Sequence, residues 1–160
     1  MAEAAAAVGL WLAVVNGPNL GRLGRREPGI YGTESWEAIQ ARLERWWRPR
    51  GVALEFFQSN HEGRLVDYLE AAADRGCGGV ALNPGALTHQ SYVLADCLRA
   101  LPMPVVEVHL SNIFAREDFR ARSLTAPAAW GQVSGLGWLG YHLALEALWR
   151  RQRPGGEAEA

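Results

Sequence analysis

The chain has 160 residues, of which 49% are hydrophobic and 21% are charged, and its formal net charge is −1. This balance is typical of one globular domain with a sizeable core, and it gives no electrostatic case for binding nucleic acid or an anionic membrane. No apolar run approaches the roughly 18 residues that a membrane helix needs. We therefore expect a single domain over residues 8–152, with flexible tails at residues 1–7 and 153–160.

Short apolar runs alternate with segments of helical periodicity along the chain. The five runs cover residues 10–15, 52–57, 79–82, 105–108 and 128–133. The helical segments cover residues 36–47, 65–73, 93–101 and 137–151, and the last is apolar on most sides, which predicts a buried helix. This alternation predicts an α/β fold: a flavodoxin-like three-layer sandwich whose five-stranded parallel sheet has the order 2-1-3-4-5.

The segment Ser-Asn-His-Glu at residues 59–62 lies just before the second helical segment. It fits a capping box, with Ser59 as the N-cap and Glu62 three residues later. A capping box satisfies two backbone N–H groups reciprocally, so this segment predicts the start of a helix.

Polar residues follow every predicted strand, at residues 16–19, 58–60, 83–85, 109–112 and 134–135. The carboxyl ends of parallel strands lie on one edge of the sheet, and ligands bind where the strand order reverses, here between the first and third strands. Residues of these types also end strands for conformational reasons alone. That second interpretation accounts for any single strand end, but not for His109 or for the arginines of the first loop.

Glu107 and His109 are two residues apart on a predicted strand, so their side chains point to the same face. A carboxylate beside an imidazole favours the charged ring, which makes His109 a candidate general acid held by Glu107. A histidine that is merely hydrogen-bonded at a strand end is an equal alternative. A metal site built from this pair and His89 is poorly supported, because the ligands are scattered.

The first loop, residues 16–32, contains three arginines and Tyr31. Its glycines match neither the dinucleotide-binding motif nor the phosphate loop, and its length is typical of a lid. A tyrosine with a pKa of about 10 is almost entirely protonated at neutral pH, but a nearby arginine stabilises the phenolate. The loop thus offers Tyr31 as a candidate base.

Two cysteines, Cys77 and Cys97, lie far apart, and there is no Cys-x-x-Cys spacing. We therefore expect neither a zinc site nor a disulfide framework. We do expect a reducing, cytoplasmic location.

Five longer stretches, residues 14–32, 56–72, 82–98, 106–123 and 134–148, together resemble the type II 3-dehydroquinate dehydratases. They include NGPN, EPGIYG, LNPG, THQS and EVHLSN, in the family's order and spacing. The resemblance implies a flavodoxin-like fold and the dehydration of 3-dehydroquinate to 3-dehydroshikimate, a lyase step of the shikimate pathway of aromatic amino acid biosynthesis and of quinate catabolism. It implies an anti elimination through an enolate, with no metal and no cofactor.

By motif position, the resemblance assigns the catalytic roles. Tyr31 is the base, and His109 is the acid that protonates the departing hydroxyl. Arg26 stabilises the tyrosinate, and Asn19 helps to hold a water near the enolate oxygen. The pairing of Glu107 with His109 agrees with the strand periodicity described above.

The same resemblance assigns the substrate contacts. Asn83, Ser111 and the backbone at Leu110 take the substrate carboxylate, while His89 and Arg120 hold the ring hydroxyls.

The resemblance also implies a homo-oligomer of trimers assembled into a dodecamer, in which Asp96 reaches the site of a neighbouring subunit. The sequence departs from many relatives at positions without a named catalytic role, which are Phe114, Ala121, Arg122, Trp130 and Trp138.

Two other interpretations compete with an enzyme. One is a flavodoxin-like module that binds a phosphorylated ligand or a flavin without catalysis, and the missing phosphate-loop motif speaks against it. The other is an inactive scaffold, which the retention of Tyr31, Arg26 and His109 disfavours. No lysine occurs in the chain, so composition excludes a Schiff-base mechanism through a lysine side chain.

Overall fold

The computed structural model describes residues 9–25, 27–153 and 155. Five parallel strands form one sheet, and they are β1 (Trp11–Asn16), β2 (Ala53–Gln58), β3 (Val80–Asn83), β4 (Val105–His109) and β5 (Gly131–Ser134). Their order across the sheet is β2-β1-β3-β4-β5. The predicted fold class and strand order are therefore confirmed.

Three long helices lie between strands, and they are α2 (Trp36–Trp47), α3 (Glu62–Asp74) and α4 (Tyr92–Ala100). A fourth long helix, α5 (Leu139–Arg151), follows the last strand. A short helix that periodicity did not predict, α1 (Pro28–Tyr31), lies in the first loop. Short 3-10 helices span Leu20–Arg22, Arg48–Arg50, Gly85–His89, Ile113–Ala115, Asp118–Arg120 and Ala126–Ala128. None of the helices described is both long and apolar enough to cross a bilayer.

Two hydrophobic cores lie on opposite faces of the sheet. Because side chains alternate along a strand, Leu12 and Val14 of β1 pack with α2 and α5, whereas Ala13 and Val15 pack with α3 and α4. A sheet that is covered on both faces needs apolar residues on both, which explains why apolar residues do not alternate strictly with polar ones along the strands.

Every strand ends one residue later than its apolar run. Asn16 at the end of β1 lies in register with Gln58 of β2 and with Asn83 of β3, and His109 lies in register with Ser134. The polar residue at each end still takes part in the backbone pairing, so the polar edge of the sheet belongs to the strands themselves.

The predicted capping box is wrong. Helix α3 begins at Glu62 with His61 as its N-cap, and the Ser59 hydroxyl accepts a hydrogen bond from the His61 N–H at 3.0 Å. Glu62 instead accepts a hydrogen bond from the hydroxyl of Ser91, the N-cap of α4. The carboxylate therefore links the starts of two helices, and Ser59 closes a turn.

The last helix, predicted to be buried, is buried on one face. Tyr141, Leu145 and Leu148 of α5 are fully buried, whereas Leu139 and Leu143 are each 40% exposed. One face of α5 thus packs on the sheet, whereas the accessible side carries both these leucines and the Glu146–Arg150 ion pair.

The loops after β1 and β3 meet at the point where the strand order reverses. Gly17 N–H donates to the Asn83 carbonyl at 2.7 Å, and a Cβ on Gly17 would lie 2.3 Å from the Pro84 carbonyl oxygen. Only glycine allows this close approach. The contact brings the first loop against the end of β3 and forms one wall of a cleft.

Candidate active site

A cleft lies at the carboxyl ends of β1, β3 and β4, where a ligand site is expected in this fold. Seven of the residues singled out in the sequence line it: Asn19, Asn83, His89, His109, Leu110, Ser111 and Arg120. They come from four separate chain segments, so the cleft exists only in the folded protein.

Glu107 and His109 point to the same face of β4, as their spacing predicts. His109 Nε2 donates to Glu107 Oε1 at 2.6 Å, and Glu107 is fully buried while His109 is 5% exposed. Since a carboxylate only accepts, Nε2 carries the hydrogen, and Nδ1 is the ring nitrogen left for other partners. The imidazole thus stands between a buried acid and the cleft.

Three hydroxyl groups and one amide also donate to the Glu107 carboxylate. Thr88 and Ser123 donate to Oε1 at 2.8 and 2.9 Å, Thr125 donates to Oε2 at 2.5 Å, and Gln132 Nε2 donates to Oε1 at 3.3 Å. We call Glu107 with these four residues the glutamate cage. Thr88 and Thr125 are fully buried, so the cage replaces the water that an exposed carboxylate would bind.

The cage determines the charge of the carboxylate. Burial raises the pKa of Glu107, but hydrogen bonds from His109 and Thr125, the charge of His109 and the hydrogen bond from Thr88 together outweigh burial and hold the pKa below its usual range. At neutral pH Glu107 is therefore an anion, and it accepts the hydrogen of His109 Nε2.

A second buried group of polar side chains lies at the ends of β1 and β3. Tyr141 of α5 donates its hydroxyl to Asn16 Oδ1 at 2.7 Å and accepts from Asn83 Nδ2 at 3.0 Å, and Asn83 Oδ1 accepts from the Gly85 N–H at 3.1 Å. We call Tyr141, Asn16 and Asn83 the tyrosine network. Burial raises the pKa of the Tyr141 phenol despite the hydrogen bonds of both amides, so the hydroxyl stays protonated. The network fixes the Asn83 amide at the cleft.

Asn19 is held in the first loop by residues at the end of β2 and just after it. Its backbone has φ 70°, in the left-handed region, and its N–H donates to Asn60 Oδ1 at 2.9 Å. Gln58 Nε2 donates to the same Oδ1 at 3.1 Å and to the Gly17 carbonyl at 3.2 Å. An asparagine tolerates this conformation better than most residues, and the contacts with Asn60 hold it there.

His89 and Arg120 lie on the opposite wall of the cleft. His89 Nδ1 lies 2.7 Å from the Arg122 carbonyl, and because a carbonyl only accepts, Nδ1 carries the hydrogen. Arg120 Nε donates to Glu117 Oε2 at 3.0 Å. Both side chains are thereby oriented by neighbours from the segment that follows β4.

Three of the predicted site residues are not placed at the cleft by this structure. Arg26 and the side chain of Tyr31 lie outside the described part of the chain. Asp96 lies on α4, where its side chain is 78% exposed and pairs with Arg99 at 2.8 Å, away from the cleft of its own chain. Among the residues described, no three His, Cys, Asp or Glu side chains converge as a metal site would require.

Sequence reasoning missed several residues of the site. Arg116 lines the cleft with its side chain only 15% exposed, and Tyr141 and the cage hydroxyls hold residues that were predicted. A signal for Arg116 existed, because it follows β4 closely and lies four residues before Arg120. No sequence signal indicated the cage hydroxyls, because serine and threonine are common in turns for other reasons.

The residues that depart from the family pattern are exposed or partly exposed. Phe114 is 63% exposed, the guanidinium of Arg151 lies 4.5 Å from the ring centroid of Trp130, and that of Arg42 lies 4.6 Å from the ring centroid of Trp138.

The family model described as "Dehydroquinase class II" matches residues 10–149. The 3-dehydroquinate dehydratase of Thermus thermophilus is 51% identical over 144 residues, which cover 90% of this chain and 97% of that protein. The protein of the same name from Deinococcus radiodurans is 47% identical over 137 residues, covering 86% of this chain and 96% of its own length.

Solved structures agree with the family model. The type II dehydroquinase of Butyrivibrio crossotus superposes with a TM-score of 0.86 at 40% identity, covering 88% of this chain and 97% of that one. The type II dehydroquinase of Propionibacterium acnes gives a TM-score of 0.83 at 45% identity, covering 86% and 94%. The fold, the cleft and these matches together show that the chain belongs to the class II dehydroquinase family.

Proposed function

We propose that this chain is a hydro-lyase that dehydrates 3-dehydroquinate to 3-dehydroshikimate. Its relatives at about half identity carry the name 3-dehydroquinate dehydratase, and they match nearly their whole length. The observation that carries the proposal is the Glu107–His109 pair, which presents an imidazole held by a buried anion to a cleft lined with polar groups. Such an imidazole is suited to donate a proton to a leaving hydroxyl.

The reaction removes a proton beside a ketone and a hydroxyl from the next carbon. We assign Tyr31 as the base, with Arg26 favouring its phenolate, and His109 as the acid. The proton goes to Tyr31, the electron pair forms an enolate, and the enolate then expels the hydroxyl as His109 protonates it, so that water leaves. Asn19 would help to hold a water at the enolate oxygen, and Glu107 would stabilise the charge of His109.

The remaining cleft residues would set the pose of the substrate. Asn83, Ser111 and the Leu110 backbone lie together at the ends of β3 and β4, where they would bind the substrate carboxylate. His89 and Arg120 on the opposite wall would hold the ring hydroxyls. An acyclic ligand or one without a carboxylate would use only part of this set.

The alternative of a non-catalytic module for a phosphorylated ligand or a flavin is not favoured. It explains the fold but gives no reason for a buried carboxylate behind the cleft histidine, and the matched relatives are named as dehydratases.

We further propose that the chain assembles as trimers within a dodecamer and that Asp96 completes the site of a neighbouring subunit. On α4, Tyr92 and Val93 are 69% and 56% exposed, and Asp96 is exposed beside them. Light scattering should show a multiple of three chains, and Asp96→Ala should lose activity while Asp74→Ala, at the end of α3, should not. An active monomer would contradict this assembly.

We also propose a reducing compartment such as the cytoplasm. Cys77 is buried and Cys97 is half-buried, and neither forms a disulfide. Burial raises the pKa of both thiols, so both stay protonated and react slowly. Thiol titration of protein that is freshly purified under oxygen exclusion should find both thiols free.

The activity is tested by following enone absorbance after 3-dehydroquinate is added to the purified protein. His109→Asn should keep KM within about tenfold and lose about 10²–10⁴-fold in kcat, the usual contribution of a general acid. The matched control is His61→Asn, at the exposed N-cap of α3, which should keep full activity. A wild-type protein without turnover, or a His109→Asn variant with normal kcat, would contradict the proposal.

Two further measurements address the mechanism. Tyr31→Phe should abolish proton exchange at the carbon beside the ketone, whereas His109→Asn should retain it. Turnover should survive a chelator, and borohydride with substrate should trap no adduct, since the chain has no lysine for a Schiff base. Activity that a chelator removes and one metal restores would require a different mechanism.

A further inference from the structure

The Glu107 carboxylate is held by more donors than a structural role in the core requires. Burying an ionised carboxylate is costly unless hydrogen bonds replace its water, and an apolar side chain would fill the same space without that cost. Here three hydroxyls, one amide and one imidazole surround a fully buried carboxylate directly behind the cleft. So many donors around one buried anion indicate that the anion acts on its neighbour, His109.

The hydroxyls of the cage respond to the charge they surround. Thr88 Oγ1 lies 2.7 Å from both Ser123 Oγ and Thr125 Oγ1, and Ser123 Oγ also accepts from the Ala126 N–H at 2.8 Å. Three hydroxyls supply three hydrogens, so each hydrogen placed between two hydroxyls is withdrawn from the carboxylate. A charged Glu107 attracts these hydrogens, whereas a neutral Glu107 would release them to one another.

The cage also aims the carboxylate. With Thr125 on Oε2 and the other two hydroxyls on Oε1, the plane of the carboxylate is fixed, and Oε1 faces His109 Nε2 at 2.6 Å. Nε2 then donates its hydrogen to Glu107, which leaves Nδ1 as the nitrogen that can contact the substrate. Loss of this aim would let the ring bind Glu107 through either nitrogen.

The same segments that carry the hydroxyls also carry the cleft. Thr88 precedes His89, and its carbonyl accepts from the Leu124 N–H at 2.7 Å, while His89 bonds the Arg122 carbonyl. Thr88 and Ser123 therefore join two chain segments that carry cleft residues to the carboxylate. A substrate that moves His89 or the segment after Arg120 would act on the cage.

We propose that Thr88, Ser123 and Thr125 are positioning residues for the general acid. Their hydroxyls keep Glu107 ionised and directed at Nε2 of His109, so that Nδ1 delivers the proton to the leaving hydroxyl. This inference rests on the proposed function.

Few charges compete with the cage for control of this pair. On the cage side the contacts come from hydroxyls and an amide. On the cleft side the titratable or cationic side chains, among the residues described, are His89, Arg116 and Arg120. Variants of the hydroxyls leave those three groups unchanged, so a shift in pH dependence reports on the pair.

The kinetic test compares Thr125→Val with Thr125→Ser. Removing one donor from the anion should lower kcat about tenfold, leave KM within about threefold, and move the acid limb of the kcat profile to higher pH, because the neutral form of Glu107 becomes easier to reach. Thr125→Ser, which keeps the hydroxyl, should restore both kcat and the position of the acid limb. The control is Ser35→Ala, which removes the hydroxyl that caps α2 and should lower Tm without moving the pH limb.

A second measurement needs no substrate. Infrared difference spectra against Glu107→Gln isolate the protonated-carboxyl band of Glu107, which should appear at higher pH in Thr125→Val than in the wild type. If Thr125→Val fails to fold, Ser123→Ala, at a partly exposed position, should shift the band in the same direction. An unmoved band together with an unmoved pH limb overturns the inference. A moved band in a protein without dehydratase activity would instead contradict only the proposed function.

Discussion

The glutamate cage and the tyrosine network are both buried at the carboxyl edge of the sheet, yet they are satisfied differently. Every contact around Glu107 comes from a donor, and the carboxylate accepts from five side chains. In the tyrosine network Asn16 Nδ2 is buried without a partner, one of two such side-chain atoms in the described residues. The difference follows the charge, because an unmet buried charge costs far more than an unmet amide hydrogen.

The comparison also separates two kinds of contribution to a site. The cage holds Glu107 against His109, which would change charge during the reaction, so the effect of the cage should appear in kcat and in pH dependence. The network holds Asn83, a neutral amide that would bind substrate, so its effect should appear in KM and in stability. Variants in each region test this division.

The largest effect is expected in the cage. Glu107→Gln keeps the shape of the side chain but removes the charge that stabilises a protonated His109, and its amide can turn an N–H toward Nε2. We expect kcat to fall by about 10²-fold or more, with a much smaller change in KM. Steady-state kinetics should be compared with Glu70→Gln, an exposed carboxylate on α3 that should behave as wild type. Equal losses in the two variants would remove Glu107 from the mechanism.

The next effect is expected in the tyrosine network. Tyr141→Phe removes the hydroxyl that donates to Asn16 and accepts from Asn83, leaving two more buried groups unsatisfied. We expect the free energy of unfolding to fall by about 1–3 kcal/mol and KM to rise several-fold, while kcat changes less.

The control for this network is Tyr68→Phe. Tyr68 donates to Glu55 at 2.7 Å, is half-buried and lies away from the cleft, so its variant should lose some stability without a change in KM. Denaturant unfolding and kinetics of both variants make the comparison. A fall in kcat for Tyr141→Phe as large as that for Glu107→Gln would erase the division between the two regions.

These two regions also show what the sequence could predict. Hydrophobic periodicity predicted the strands and helices, and their alternation predicted the parallel sheet and its strand order. The two-residue spacing of Glu107 and His109 placed both on one face, because side chains alternate along a strand. The cage was not predictable, since Thr88 and Ser123 are 35 residues apart and meet only after the fold forms. Tyr141 was hidden within an apolar helix, where only the need of a buried hydroxyl for a partner could have indicated a role.

The misread capping box at residues 59–62 has a similar cause. The local pattern was present, but Glu62 accepts a hydrogen bond from Ser91, 29 residues away, instead of from the backbone at Ser59. Tertiary contacts thus overrode a local rule, whereas the rule held at Ser35 and Ser91, whose hydroxyls do accept from the first turns of α2 and α4.

A smaller effect concerns the pH dependence of stability. The folded-state pKa of Glu107 lies below its unfolded value, so Glu107 contributes stability above pH of about 4.5 that is lost as the pH falls through the folded pKa. The difference in unfolding free energy between wild type and Glu107→Gln should therefore shrink as the pH is lowered from 7 into this range. Other carboxyl groups with a lowered pKa, such as those of Glu55 and Glu117, contribute equally to both proteins, so their contributions cancel in this difference. A constant difference would show that the cage does not hold an anion.

The smallest effect is expected at the outer contact of the cage. Gln132 of β5 is exposed, and its Nε2 lies 3.3 Å from Glu107 Oε1, the longest contact in the cage. Water can replace a donor at an exposed position, whereas nothing replaces the hydroxyl of the fully buried Thr125. Gln132→Leu should therefore change kcat by less than about twofold and the free energy of unfolding by less than about 0.5 kcal/mol. Kinetics and denaturant unfolding beside Thr125→Val test this ranking: a loss at Gln132 equal to that at Thr125 would mean that the number of donors, and not their burial, keeps Glu107 charged.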